Sequence, residues 1–378
     1  MKILTVVGAR PQFVKAAPVS RALRARHTEI LVHTGQHYDH AMSAAFFRDL
    51  EMPAPDVDLE VGSGSHAAQT SEMLRRLEPI IAEHVPDGVL LYGDTNSTLA
   101  GAVVACKIAF GDGRRPWIAH VEAGLRSANP TMPEERNRIV ADHLSDLLLA
   151  PTAAAMANLE REGLADRAEL TGDVMVDAHV WAADRAEARL PEVARGLPPY
   201  VLLTLHRAEN VDDEVRLRAW IETLRIEAPV LFPVHPRTRA AIERAGIDLT
   251  SNIVPIDPVG HLEMIALERH ALAVATDSGG VQKEAYLAAV PCLTLRAETE
   301  WVETVEVGWN RLLDPAPNAV AAALADPVFM RRDRPRPPLF GDGHAAERVV
   351  AALERTQGEL RWMLGASEPV ETAETIVP

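Results

Sequence analysis

Cysteine is nearly absent: two residues, Cys106 and Cys292, in a chain of 378. Two thiols cannot build a disulfide framework, and no CxxC pair suggests zinc. Both sit in apolar stretches, VVACKIAF and VPCLTLR, and are expected to be buried free thiols. Aromatic residues supply only 4% of the chain against 47% hydrophobic residues, so Ala, Val, Leu and Ile must form the core. No apolar run reaches the roughly 20 residues that span a bilayer. The opening MKILTVVGARPQ is too short for a secretion-signal core and is expected to be a first β-strand, which makes the cytoplasm the expected compartment. Cations are scarce: 38 Lys and Arg face 54 Asp and Glu, a formal net charge of −16. That argues against a general nucleic-acid binder, whose affinity comes from a cationic surface. It leaves room for an anionic small ligand held by local cations in a cleft. The dinucleotide fingerprint is missing as well. The first strand runs into GARPQ rather than GxGxxG, so no nicotinamide or flavin cofactor is expected.

What is present is an alternation of short β-rich apolar runs with longer helical stretches, the signature of an α/β fold with doubly wound parallel sheets. Strands are predicted at 2–7, 29–34, 88–92, 117–121 and 147–150, with helices at 13–26, 41–50, 67–84, 96–110 and 134–143. The rhythm pauses after Ala150 and restarts at Tyr200. Two Rossmann-like domains, 1–170 and 171–345, are expected, the length fitting about 150 residues per domain. A C-terminal helix, 346–364, is expected to pack back on the first domain, and the polar, acidic tail 365–378 to be disordered.

Ligands of open parallel sheets sit beyond the carboxyl ends of the strands. The residues there are Gly8-Ala9-Arg10, Gly93-Asp94 and Glu122 in the first half, and His206-Arg207, His235 and Asp277-Ser278-Gly279-Gly280 in the second. Ser278 to Gly280 open a helix directly after a strand. They read either as an ordinary capped start or as a phosphate cradle of free N–H groups. Arg10 and Lys15 place cations near a helix N-terminus, against the dipole preference, which an anionic ligand would resolve. Asp94 can be a helix cap or an acid; Glu122 is followed by Ala-Gly and has no capping duty. Glu134 and Glu135 follow Pro133, a respectable helix start that also brings carboxylates towards the cleft. Converging carboxylates are what proton transfer at carbon requires. His33, His37 and His40 have a spacing a metal could use, but no Cys or carboxylate set accompanies them, and no metal site is assigned.

Together, GARPQFVKAAPVSRAL, HTGQHYD, YGDTNSTLAG, HVEAGLRS, MPEERNR, LTLHRAEN, VHPRTR, TDSGGVQKEA and LRAETEW resemble the non-hydrolysing UDP-N-acetylglucosamine 2-epimerases over nearly the whole chain. The resemblance implies the two-domain arrangement of B-type glycosyltransferases (GT-B), a UDP-sugar in the interdomain cleft, homodimers, and inversion at C2 without NAD or a required metal. It implies Asp94, Glu122 and Glu134 as catalytic acids and His206 as the active-site histidine. It further implies Arg10, Lys15 and Arg138 near the phosphates, Ser278, Gly279 and Gly280 as the diphosphate turn, and Glu284 on the ribose. The implied chemistry is elimination of UDP to a 2-acetamidoglucal and re-addition with protonation on the other face of C2. The same residues leave open a GT-B glycosyltransferase or a non-catalytic nucleotide-sugar sensor.

Two motifs depart from the family pattern. Lys283 stands where DSGGIQEEA has its first Glu, and Thr299-Glu300-Trp301-Val302-Glu303 replaces Thr-Glu-Arg-Pro-Glu. The latter resembles relatives acting on UDP-2,3-diacetamido-glucuronate. Some members carry an activating UDP-sugar site built from Gln, His, Gln and Arg. Gln36 and His37 are present, but Asp39 takes the second Gln position and SHAAQT lacks the Arg, so no effector site is carried over.

Overall fold

The computed structural model describes residues 1–36, 47–127 and 129–363. Seven strands form a parallel sheet: β1 (Lys2–Val7), β2 (Thr28–His33), β3 (Val57–Asp58), β4 (Gly88–Tyr92), β5 (Trp117–Val121), β6 (Leu147–Ala150) and β7 (Ala168–Leu170), in the spatial order 3-2-1-4-5-6-7. Six more form a second parallel sheet: β8 (Val201–Thr204), β9 (Val230–Pro233), β10 (Ile253–Ile256), β11 (Ala273–Thr276), β12 (Cys292–Thr294) and β13 (Asn310–Leu312), in the order 10-9-8-11-12-13. β4, β5 and β6 are buried at every position, as sheets covered by helices on both faces require. In each sheet the order reverses beside the first strand, at β1/β4 and at β8/β11. These are the switch points where a crevice opens at the carboxyl ends.

One core joins Phe13, Val14 and Ala17 of the helix Arg10–Arg24 to Leu90, Tyr92 and Val121 of the first sheet. Val174, Met175 and Ala178, from the helix Val174–Ala186, complete it with Val349, Val350 and Leu353 of the C-terminal helix Ala345–Met363. The chain therefore returns to its first sheet after finishing the second. Two hydrogen bonds fix that return: Trp117 Nε1 donates to Gln357 Oε1 at 2.8 Å, and His27 Nε2 lies 2.7 Å from Glu354 Oε1. The second sheet has its own core around Trp220, Phe232, Leu203 and Leu293.

Several boundaries differ from the sequence expectation. The helix from Asn96 ends at Ala105, not 110, because Cys106 caps it and the chain turns through Gly111 and Gly113. Cys106 is only half-buried, its Sγ 3.3 Å from Val103 O, whereas Cys292 is buried. The segments β3, β7 and β13 were not anticipated. The expected helix at 41–50 falls largely outside the described residues, as does the tail 365–378.

Candidate active site

Glu122 follows β5 with φ +69°, a left-handed backbone that a non-glycine residue seldom adopts and that concentrates at functional sites. Its N–H and that of Ala123 both bond Leu149 O, which fixes the turn. Beneath it His120 and Asp142, both fully buried, pair at 2.7 Å. His120 Nε2 sits 2.6 Å from Gly93 O, so the turn after β4 is tied to the turn after β5.

The Glu122 carboxylate is buried between two ammonium groups. Lys15 bonds Oε2, and Lys283 bonds Oε1 at 3.1 Å. Lys283 also bonds Asp173 at 2.5 Å and lies 4.1 Å from the Trp301 ring centroid. Burial alone would raise the Glu122 pKa; the two ammonium groups outweigh it and hold the carboxyl down at about 2. Glu122 is therefore an ion-paired carboxylate. Lys15, read from sequence as a ligand-facing cation, is instead turned onto Glu122.

Asp94 is not a cap. Thr95 fills that role for the helix Asn96–Ala105, accepting from Thr98 N. Asp94 accepts from Arg138 NH2 at 2.5 Å, and Asn137 Nδ2 donates to its carbonyl at 3.0 Å. Arg138 comes from the helix Pro133–Leu144, begun by Pro133 with Glu134 and Glu135 in its first turn. Although burial opposes its charge, Asp94, Glu135, Glu300 and Glu122 together raise the Arg138 pKa, which places it amid the carboxylates. Glu135 is buried and accepts from Ser127 N and Oγ at 3.0 Å. Glu134, one position earlier, remains partly exposed.

From the second sheet, Asp277 is fully buried after β11 and accepts from the N–H groups of His206 and Arg207 and from Asn210 Nδ2. The His206 ring is 43% exposed, its Nδ1 3.3 Å from Asp277 Oδ1. His235 lies 6.4 Å from it, centroid to centroid. The His235 pKa is lowered by burial first and then by His206, Arg10 and Arg237, so the Arg10 charge is felt at the histidine that follows β9. Ser278 occupies the N-cap of the helix Gly279–Leu287, with no side-chain cap bond, so its hydroxyl is not committed to the helix. A Cβ on Gly279 would lie 3.4 Å from Trp301 Nε1 and 3.9 Å from Arg207 NH2. Glu284, one turn on, is buried with His261 Nδ1 at 3.8 Å.

The structure thus gathers Lys15, Glu122, Asp94 and Arg138 at one crevice. It sets Glu122 against the helix that Ser278, Gly279 and Gly280 open. Sequence reading missed the contributions of Lys283, Asp173 and Asp277; Lys283 and Asp277 lie inside TDSGGVQKEA, whereas Asp173 lies outside every motif it singled out. His33 pairs with Asp58 at 3.2 Å; His37, His40 and Asp39 lie outside the described residues. Gln36 is engaged by Ser97, whose N and Oγ donate to Oε1 at 3.1 and 2.8 Å.

Two parallel sheets meeting at their switch points, with paired acids on one wall and an open helix start on the other, define a GT-B-type enzyme for a phosphate-bearing ligand. The chain belongs to the UDP-N-acetylglucosamine 2-epimerase family, whose pattern it matches over residues 21–354. It is 46% identical to the UDP-2,3-diacetamido-2,3-dideoxy-D-glucuronate 2-epimerase of Pseudomonas aeruginosa, over 94% of this chain and 100% of that protein. It is 40% identical to the UDP-N-acetylglucosamine 2-epimerase of Methanocaldococcus jannaschii, over 93% and 99% of the two chains. A crystal structure of the M. jannaschii UDP-GlcNAc 2-epimerase in complex with UDP-GlcNAc and UDP superposes with a TM-score of 0.84 at 39% identity, covering 94% of this chain and all of that one.

Proposed function

We propose that this chain reversibly epimerises UDP-GlcNAc to UDP-ManNAc, working as a homodimer. The observation that carries the reading is the bond from Glu122, at the end of a first-domain strand, to Lys283, one turn inside the helix that Ser278–Gly280 open. That contact supports a reading in which the acid–base groups and a phosphate cradle work at one place. The N–H groups of that helix start, with its dipole and Arg10, would take the diphosphate and stabilise its charge as the C1–O bond breaks. Glu284 would hold the ribose. Removal of the C2 proton by one carboxylate completes elimination to UDP and a 2-acetamidoglucal. Re-addition of UDP at C1, with a proton delivered to the opposite face of C2, gives the epimer. Asp94, Glu122 and Glu134 supply carboxylates for the two faces, and His206 supplies a partly exposed imidazole beside the cradle.

The test is incubation with UDP-GlcNAc in D2O, with no NAD added, followed by proton NMR. Product carrying deuterium at C2 supports elimination and re-addition. Product retaining its original C2 proton excludes it. A second reading, the same chemistry on UDP-2,3-diacetamido-glucuronate, is favoured by the 46% identity to the P. aeruginosa enzyme. Turnover of that sugar alone would replace UDP-GlcNAc as the substrate.

A further inference from the structure

Lys283 and Trp301 stand in the two motifs that depart from the family pattern, and they touch: the ammonium lies 4.1 Å from the ring centroid. Only 1% of the Lys283 side chain is exposed. A buried ammonium is costly unless it is paired and hydrogen-bonded. Here it is satisfied three ways: by Asp173 at 2.5 Å, by Glu122 at 3.1 Å and by the face of Trp301. Asp173 caps the helix Val174–Ala186 through Met175 N, so the lysine is anchored at a helix start as well.

Four buried charges form a line, Lys15–Glu122–Lys283–Asp173, alternating in sign. The line crosses the cleft, since Lys15 and Glu122 stand on a helix and a strand-end turn of the first sheet's side and Lys283 on a helix of the second's. Lys283 is fully paired within it and has no bond left to give a ligand. Its effect must pass through its neighbours.

We propose that Lys283, steadied by Trp301, is a positioning residue that acts through Glu122, keeping that carboxylate ionised and aimed from across the cleft. The inference rests on the epimerase reading above. The groups facing Glu122 are Lys15 on the helix Arg10–Arg24, Lys283 and, beyond it, Asp173. Arg138 lies within electrostatic reach on the helix Pro133–Leu144, itself surrounded by Asp94, Glu135 and Glu300. Removing the Lys283 charge takes one of two ammonium partners from Glu122 and leaves Asp173 as an uncompensated negative neighbour. Both changes make Glu122 easier to protonate.

The experiment compares full-length wild type with K283Q, K283R and W301L, reading kcat and KM from pH 3 to 9 by C2 deuterium exchange. For K283Q the acid limb of kcat/KM is expected to move up by about one pH unit or more. Its kcat at pH 7 should fall by about tenfold or more, with KM nearly unchanged. K283R should restore most of the loss, because it returns the charge. W301L, which keeps the ammonium but removes its ring, should move the limb in the same direction by less. Active K283Q with the wild-type acid limb overturns the proposal even if the protein melts lower, because a merely structural lysine would give that result. K283R as impaired as K283Q also overturns it. Should K283Q fail to fold, W301L decides: an unchanged profile overturns the proposal and a raised limb supports it. Absence of exchange in the wild type would instead sink the epimerase reading, a separate and recognisable failure.

Discussion

Arg138 NH2 stands 2.5 Å from Asp94 Oδ2, so the acid after β4 is held by a buried guanidinium from a helix 44 residues further on. Among the described residues, Arg138 Nε has no hydrogen-bond partner. The arginine therefore aligns Asp94 with part of its donor set unused, as a group waiting for an anionic ligand would be. Asp94 itself is 30% exposed, and the buried Arg138 keeps a second carboxylate partner, Glu135 at 3.3 Å, when the Asp94 charge is removed. Asp94→Asn keeps the size and an acceptor for Arg138. It is expected to lower kcat by ~10²–10⁴, the usual range for a proton-transfer group, with the melting temperature nearly unchanged. Normal turnover in this variant would remove Asp94 from the chemistry.

Deeper in the same wall, His120 and Asp142 are a stability device. Asp142 also accepts from Gly124 N at 3.1 Å and pairs with Arg126 at 2.8 Å. Burial would raise its pKa, yet His120 and Arg126 outweigh burial and lower it. A folded pKa below the unfolded one contributes stability above the unfolded value near 3.9, and that stability is lost as pH falls through the folded value. Asp142→Asn should therefore cost about 3–5 kcal/mol at pH 7, because it strips the charge from a buried network. The difference from wild type should shrink only as pH falls below the unfolded value near 3.9 towards the lower folded value, where the native acid becomes protonated. Urea unfolding at pH 7 and pH 3 reads both quantities; an equal gap at the two pH values contradicts the argument.

The wall that carries Asp94 and Glu122 was largely legible because both sit at the ends of strong apolar strands: Asp94 after GVLLY and Glu122 after WIAHV. Strand ends are local signals. The partners of those residues are not. Lys283 meets Glu122 across 161 positions and Asp173 across 110, and no window of sequence carries such a pairing. Lys15 is the same case: its cation has no local partner in the sequence, and Glu122 lies 107 residues away. The missed strands β3, β7 and β13 have two or three residues each, too few to show a period-two pattern.

The two thiols should separate cleanly. Cys292 lies in β12, 1% exposed, and burial pushes its pKa up to about 12. Cys106 caps a helix and is half-exposed. The thiolate is the reactive form, so an aromatic disulfide reagent at pH 8 should modify one thiol per native chain and two after denaturation. Mass mapping should place the native label on Cys106. Rapid native labelling of Cys292 would show that the second sheet opens far more readily than its packing implies.

Gly93, between β4 and Asp94, has φ +62°, and a Cβ there would stand 3.1 Å from both Glu122 Oε2 and Lys15 Nζ. Gly93→Ala thus makes two separable changes. It forces a side chain into left-handed backbone, costing about 1–2 kcal/mol. It also presses a methyl group against the Lys15–Glu122 pair, which must give way by a few tenths of an ångström. Gly113 provides the control: its φ is +84° and a Cβ would meet nothing within 4 Å. Gly113→Ala should lower stability by a comparable amount and leave kcat alone. Gly93→Ala should lower stability and also reduce kcat by about 10–100-fold, because displacing catalytic groups by up to 1 Å has that scale of effect. Denaturant titration and steady-state turnover of both variants distinguish the two contributions. If Gly93→Ala turns over at the wild-type rate, the placement of the Lys15–Glu122 pair does not govern the rate, and the distance between these two side chains has no catalytic meaning.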